Sequence, residues 1–180
     1  MNTNLLNDFL NALIAADEKE IAKMLDINPA LSTVVFDKNL STNPPIFIAV
    51  RVPNYDGHGE SIPCEHSKDI IRSRIVQLLI DSGADPNYKY KRGVRPLHMA
   101  ARYGQAKCID VLAKSGANID VCDINGETPL FRAANLGHKE AVGILLKIGA
   151  NPNLKNKKGF FPIDKANKKG YNEIVKLLSK

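Results

Sequence analysis

The sequence predicts an all-α solenoid: about five stacked helix-turn-helix repeats joined by short turn or hairpin tips. Two observations carry this. First, four separate punctuation marks share one period of 33 residues: Gly83, Gly116 and Gly149; Gly93, Gly126 and Gly159; Pro96, Pro129 and Pro162; Gly104, Gly137 and Gly170. Second, apolar positions keep the same period, as in Ile75, Cys108, Ala141 and Ile174, and in Leu79, Leu112, Leu145 and Leu178. A fixed period of this size, kept by turns and core positions alike, marks units that bury their apolar faces only by stacking on neighbours.

The fourth unit shows why each piece forms. Thr128 is a good N-cap, and Pro129 at the first helical position gives up only an N–H that has no intrahelical partner. A short helix over about 129–136 follows, with Ala133 and Ala134 small enough for close packing. Gly137 ends it in the left-handed conformation. A second helix over about 139–148 is apolar on one face at Val142, Leu145 and Leu146, and Gly149 stops it. Ala150-Asn151-Pro152-Asn153 then opens an extended turn that Gly159 closes. Two short amphipathic helices, about 4–15 and 18–27, precede the regular array. Leu6, Phe9, Leu10 and Leu13 face one way on the first, and Ile21, Met24 and Leu25 line the second.

These residues resemble the ankyrin-repeat family. Its T-P-L-H-x-A signature stands as Arg95-Pro96-Leu97-His98-Met99-Ala100, Thr128-Pro129-Leu130-Phe131-Arg132-Ala133 and Phe161-Pro162-Ile163-Asp164-Lys165-Ala166. Its G-A-D-x-N ending stands as Gly83-Ala84-Asp85-Pro86-Asn87 and its two successors. The match is specific over 69–180, and Pro45-Ile46-Phe47-Ile48-Ala49-Val50 extends it more loosely. The resemblance divides the chain into an N-terminal capping repeat (1–32), repeat two (33–86), repeat three (87–119), repeat four (120–152) and a C-terminal capping repeat (153–180). In repeat two, Ala49 and Gly83 lie 34 apart where Ala100 and Gly116 lie 16 apart. An insertion of 18 residues, roughly 53–70, is expected there as a surface loop.

Composition narrows the function. Apolar residues make up 44% and charged residues 24%, which suits a packed domain rather than a disordered chain. No apolar run is long enough for a membrane span, and Asp8 and Asp17 break up the N-terminal apolar stretch, so no Sec-type signal is expected. Three cysteines, Cys64, Cys108 and Cys122, lack C-x-x-C spacing and fit a reducing setting: cytoplasmic, or a host cytosol reached by another route. The net charge of +6 is local. Residues 1–150 balance 17 basic against 17 acidic groups, whereas 151–180 hold eight lysines against Asp164 and Glu173.

No catalytic constellation, glycine-rich phosphate loop or nucleophile elbow is present in the sequence, so neither an enzyme nor a cofactor is expected. The insertion's His58, Cys64, Glu65 and His66 could ligate a metal, but no second pair completes a four-ligand site, and no metal site is assigned. The resemblance implies a monomeric binding module for another protein, using turn tips and concave helix ends. In repeat three the candidates are Lys89, Lys91, Arg92, Arg102 and Tyr103, carried over by position, and Tyr90, singled out with the basic residues around it. In repeat four they are Ile124, Asn125, Asn135 and Leu136; in repeat five, Lys157, Lys158, Lys168 and Lys169. Segment 87–103 carries five basic residues, three tyrosines and no acid, which favours an acidic or mixed protein surface. The lysines of repeat five also serve solubility at a solenoid end. A pathogen effector and a regulatory inhibitor are both settings for such a module. Nucleic acid on the basic tips is the weaker alternative, and an enzyme or metal site on the insertion weaker still.

The resemblance assigns His98 to hydrogen bonds between neighbouring turns. Arg95 and Phe161 replace the capping Thr128, so looser helix starts are expected in repeats three and five. Tyr90 stands where the family commonly has a turn aspartate, whose hydrogen bonds would be lost.

Overall fold

The computed structural model describes residues 3–33, 44–50 and 66–179. Among them, ten α-helices form five antiparallel pairs: α1 (Thr3–Ala15) with α2 (Glu18–Ile27), α3 (Pro45–Val50) with α4 (His66–Asp81), α5 (Pro96–Arg102) with α6 (Ala106–Lys114), α7 (Pro129–Leu136) with α8 (Lys139–Lys147), and α9 (Pro162–Lys168) with α10 (Asn172–Leu178). The described residues contain no strand; the tips are tight turns, each closed by an N–H to C=O bond four residues apart, such as Asp123 to Glu127 at 3.1 Å. No described helix is long and apolar enough to cross a membrane.

The stack has two layers. Helices α3, α5, α7 and α9 pack in one row, and α2, α4, α6, α8 and α10 in the other. Small side chains set the spacing of the inner row, where Ala100, Ala101, Ala133, Ala134 and Ala166 are wholly buried. The outer row buries one apolar stripe per helix: Cys108, Ile109 and Leu112 on α6, and Ala141, Val142 and Leu145 on α8. Burying such side chains contributes roughly 1.5–3 kcal/mol apiece for the larger ones, so the continuous interior sustains helices too short to persist alone.

Between the helices of a pair, the turn glycine receives the next repeat. Gly104 has φ +69°, and His138 lies against it, its ring reaching within 2.7 Å of where a Cβ would stand. Tyr171 meets Gly137 in the same way. His138 also places Nε2 2.9 Å from the Arg102 carbonyl. At the tips, Ile124 N–H donates to Arg92 O (2.8 Å) and Lys157 N–H to Asn125 O (2.9 Å), so successive tips are tied through their backbones.

One expectation changes. Helix α4 begins at His66, within the stretch expected to be loop, and outruns α6 by seven residues at its start. Those first turns are useful to the stack: the Asp69 carboxylate accepts the Lys107 N–H at 2.9 Å at the start of α6, and Arg72 donates to Ala49 O at 3.0 Å. The rest of the insertion, 53–65, lies outside the described residues, and so do the ligand candidates His58, Cys64 and Glu65 and the side chain of His66.

The starts of α5 and α9 lack the side-chain cap, as expected, and keep a different end contact. Thr128 caps α7 by accepting the Phe131 N–H at 3.1 Å. Arg95 and Phe161 have no side-chain acceptor, yet the backbone N–H of each is taken by the residue three positions on, His98 Nδ1 at 3.2 Å and Asp164 Oδ2 at 2.7 Å. This is the reciprocal half of a capping box, satisfying the N-cap's own donor instead of one inside the helix.

Candidate protein-binding cleft

Tip turns and inner-helix ends of repeats three and four enclose an open cleft of about 650 Å³, floored on one side by Phe47 of α3. It brings together eight of the fourteen residues expected from sequence: Tyr90, Lys91, Arg92, Arg102, Tyr103, Asn125, Asn135 and Leu136. Lys89 and Ile124 are exposed on the same two tips but do not line it. Lys157, Lys158, Lys168 and Lys169 are exposed one repeat further along.

The carboxylate of Asp123 organises the repeat-four tip. Its Oδ1 accepts the N–H groups of Asn125 (2.7 Å) and Glu127 (3.0 Å), while Oδ2 takes the Arg132 guanidinium. Asn156 repeats the backbone half of this arrangement in repeat five, accepting from Lys158 and Phe160 at 3.0 Å each. Burial alone would raise the Asp123 carboxyl, but the Arg132 hydrogen bond, the two N–H donors and the Arg132 charge outweigh it and hold it below the usual carboxylate range. With Glu127 3.8 Å from Arg132 Nε, the guanidinium is spent within the cleft wall.

At the corresponding place in repeat three, Tyr90 brings an aromatic ring where Asp123 brings a carboxylate. That ring lies 5.1 Å from Phe47 between centroids, and Tyr88 meets Phe47 edge-on at 6.2 Å. The third tip is thus fastened to repeat two by aromatic packing, worth ~0.5–1.5 kcal/mol per pair beyond area burial. Tyr90 serves both the fold and the cleft wall. Arg92 adopts φ +61°, a left-handed backbone that its counterparts Asn125 and Lys158 avoid.

Lys91, Arg92 and Arg102 form no ion pair among the described residues, and Lys91 Nζ sits 5.8 Å from the Tyr90 ring centroid. The cleft therefore offers three uncommitted cations beside two tyrosines, Met99 and Leu136.

His98 lies beneath this surface and is fully buried. Nδ1 accepts from Arg95, so Nε2 carries the proton and donates to Glu127 O at 3.0 Å, the inter-turn bond that the resemblance implies. Burial, then the Arg132 charge, lower its pKa to about 4 against the smaller opposing effects of Glu127 O and Asp123, so the ring is neutral at physiological pH. The thiol of Cys122, an exposed tip residue, is pushed up by partial desolvation and by the Asp123 and Asp120 charges, which disfavours its thiolate.

Six further cleft residues lie outside that set of fourteen: Phe47, Val94, Met99, Asp123, Glu127 and Arg132. Met99 and Arg132 were within reach: they stand one helical turn before Arg102 and Asn135 on the same face, and 33 residues apart.

The family described as ankyrin repeats in three copies matches residues 69–156 and 115–180. The chain belongs to the ankyrin-repeat family, whose members are generally protein–protein interaction modules. No curated protein matches it.

Proposed function

We propose that this chain is a monomeric binding module that grips an acidic or mixed surface of another protein in the cleft between repeats three and four. The observation that carries the reading is the set of uncommitted cations, Lys91, Arg92 and Arg102, in a concave wall beside Tyr90 and Tyr103. Arg and Tyr are enriched at energetic centres of interfaces because they combine contact area with directional hydrogen bonds. The wall is held by stacked helices and inter-tip backbone bonds, so little conformational freedom is lost on docking. The cations speed encounter with a negative surface. A cytosolic setting, in its own cell or a host's, fits a chain whose three cysteines lack C-x-x-C spacing; regulatory inhibitor and effector are the roles such a module would fill. Nucleic acid suits the cleft less well, because Asp123 and Glu127 are among its lining residues and together outweigh Arg132.

The test is affinity capture from lysate with wild type beside Lys91→Glu/Arg102→Glu, both shown folded by circular dichroism. A protein held by wild type and lost by the variant supports the reading. The same protein held equally by both contradicts it.

A further inference from the structure

We infer that the partner segment is an acidic–apolar–acidic peptide that lies along the concave face and spans repeats three to five. This deepens the proposed function and rests on it.

The concave face does not end at the cleft. One period beyond Asn135 and Leu136, which line it, stand Lys168 and Lys169, both exposed; one period beyond Arg132 stands Lys165. Among the described residues none of these lysines forms an ion pair, and the nearby carboxylate of Asp164 is used by the Phe161 N–H. Lys165 Nζ instead lies 3.8 Å from the Phe160 ring centroid. Repeat five therefore carries a second cationic patch, independent of the first.

Repeat four between them is different. Its one concave cation, Arg132, is taken by Asp123 and faced by Glu127, so that section is net negative. It also exposes two large apolar side chains, Leu136 at 39% in the cleft and Ile124 at 51% on the tip beside it. A uniformly acidic ligand, or a nucleic-acid strand with its unbroken run of phosphates, would meet repulsion in this middle section. A segment with carboxylates at both ends and an apolar middle matches all three sections. Neighbouring inner helices pack ~10 Å apart, so the two patches are ~20 Å apart. That separation corresponds to about six residues of an extended peptide or about thirteen of a helix.

The probes are random 20-residue peptides displayed on phage and selected on the full chain, with polyglutamate and polyuridine as uniform polyanions. Selected peptides should carry two acidic clusters, about six or about thirteen residues apart, around an apolar centre. Their Kd should rise about tenfold or more in Lys91→Glu/Arg102→Glu and likewise in Lys168→Glu/Lys169→Glu, each folded by circular dichroism. Polyglutamate should bind weakly and gain severalfold in Glu127→Gln. If the repeat-five variant leaves Kd unchanged while the repeat-three variant weakens it, the two-patch inference falls and the cleft reading stands. If neither variant matters, or no acidic peptide is enriched, both fall. Selection of uniformly acidic peptides, or tighter binding of polyuridine, overturns the inference.

Discussion

Acidification to pH 5 should weaken the fold through one residue, His98. The ring is wholly enclosed, accepts from Arg95 and donates to Glu127, and holds a pKa of about 4 against 6.5 when free. Because the folded value is depressed, the unfolded chain binds the extra proton first. The stabilisation is complete above pH 6.5 and is lost as the pH falls toward 4. Each unit of displacement is worth ~1.4 kcal/mol, so linkage removes about 2 kcal/mol by pH 5 and about 3 kcal/mol by pH 4. The Asp123 carboxyl, held below its ordinary range, begins to cost stability only as the pH nears the free carboxylate value, below the pH 5 of the assay. The assay is urea unfolding at pH 7.5 and pH 5 for wild type and for His98→Phe, which introduces the side chain that repeat four already buries at the same position, Phe131. The variant starts from lower stability, having lost both hydrogen bonds, but should lose about 2 kcal/mol less on acidification. Equal losses in the two proteins would show that His98 is not buried neutral between the tips.

Other substitutions separate the remaining forces. Ala at Gly104 or Gly137 would place a Cβ within 2.7 Å of His138 or 2.8 Å of Tyr171, besides the strained φ; Gly170→Ala has the strain but open space. Thermal unfolding should therefore show the first two costing at least ~1 kcal/mol more than the third, whose backbone term is ~1–2 kcal/mol. Arg92→Gly should relieve the left-handed strain and stabilise the fold by up to ~1 kcal/mol after the entropy of glycine is deducted, while weakening partner capture. Thr128→Ala should cost ~1 kcal/mol in urea unfolding through the lost cap on α7. Asp123→Asn, which retains the acceptor that Asn156 uses in repeat five, should destabilise less than Asp123→Ala, which also removes the two tip hydrogen bonds.

The repeat was legible in the sequence because its marks are local: a proline that starts a helix, a glycine that turns it, and apolar residues returning at 33. Those features need no knowledge of distant contacts, and helix ends such as Leu136 and Gly137 fell where they were expected. What could not be read is what depends on a partner elsewhere in the chain. Asp69 is an ordinary polar residue in sequence; its value lies in the Lys107 N–H, 38 positions away. Arg132 looks like one more basic contact until Asp123 and Glu127 neutralise it. Tyr90 reads as a displaced turn residue until its ring is seen against Phe47, contributed by repeat two. At the cleft, then, individual cations were visible from their positions, whereas which of them remain uncommitted is a tertiary property.

Recognition through the concave face can be read from amide chemical shifts of the isotope-labelled chain, recorded with and without the captured partner. Changes are expected at the tips around 90–95 and 124–127 and at the inner-helix ends around 102–104 and 135–137, with the exposed sides of α6 and α8 unmoved. Changes concentrated on α6 and α8, with the cleft silent, would contradict recognition by that face.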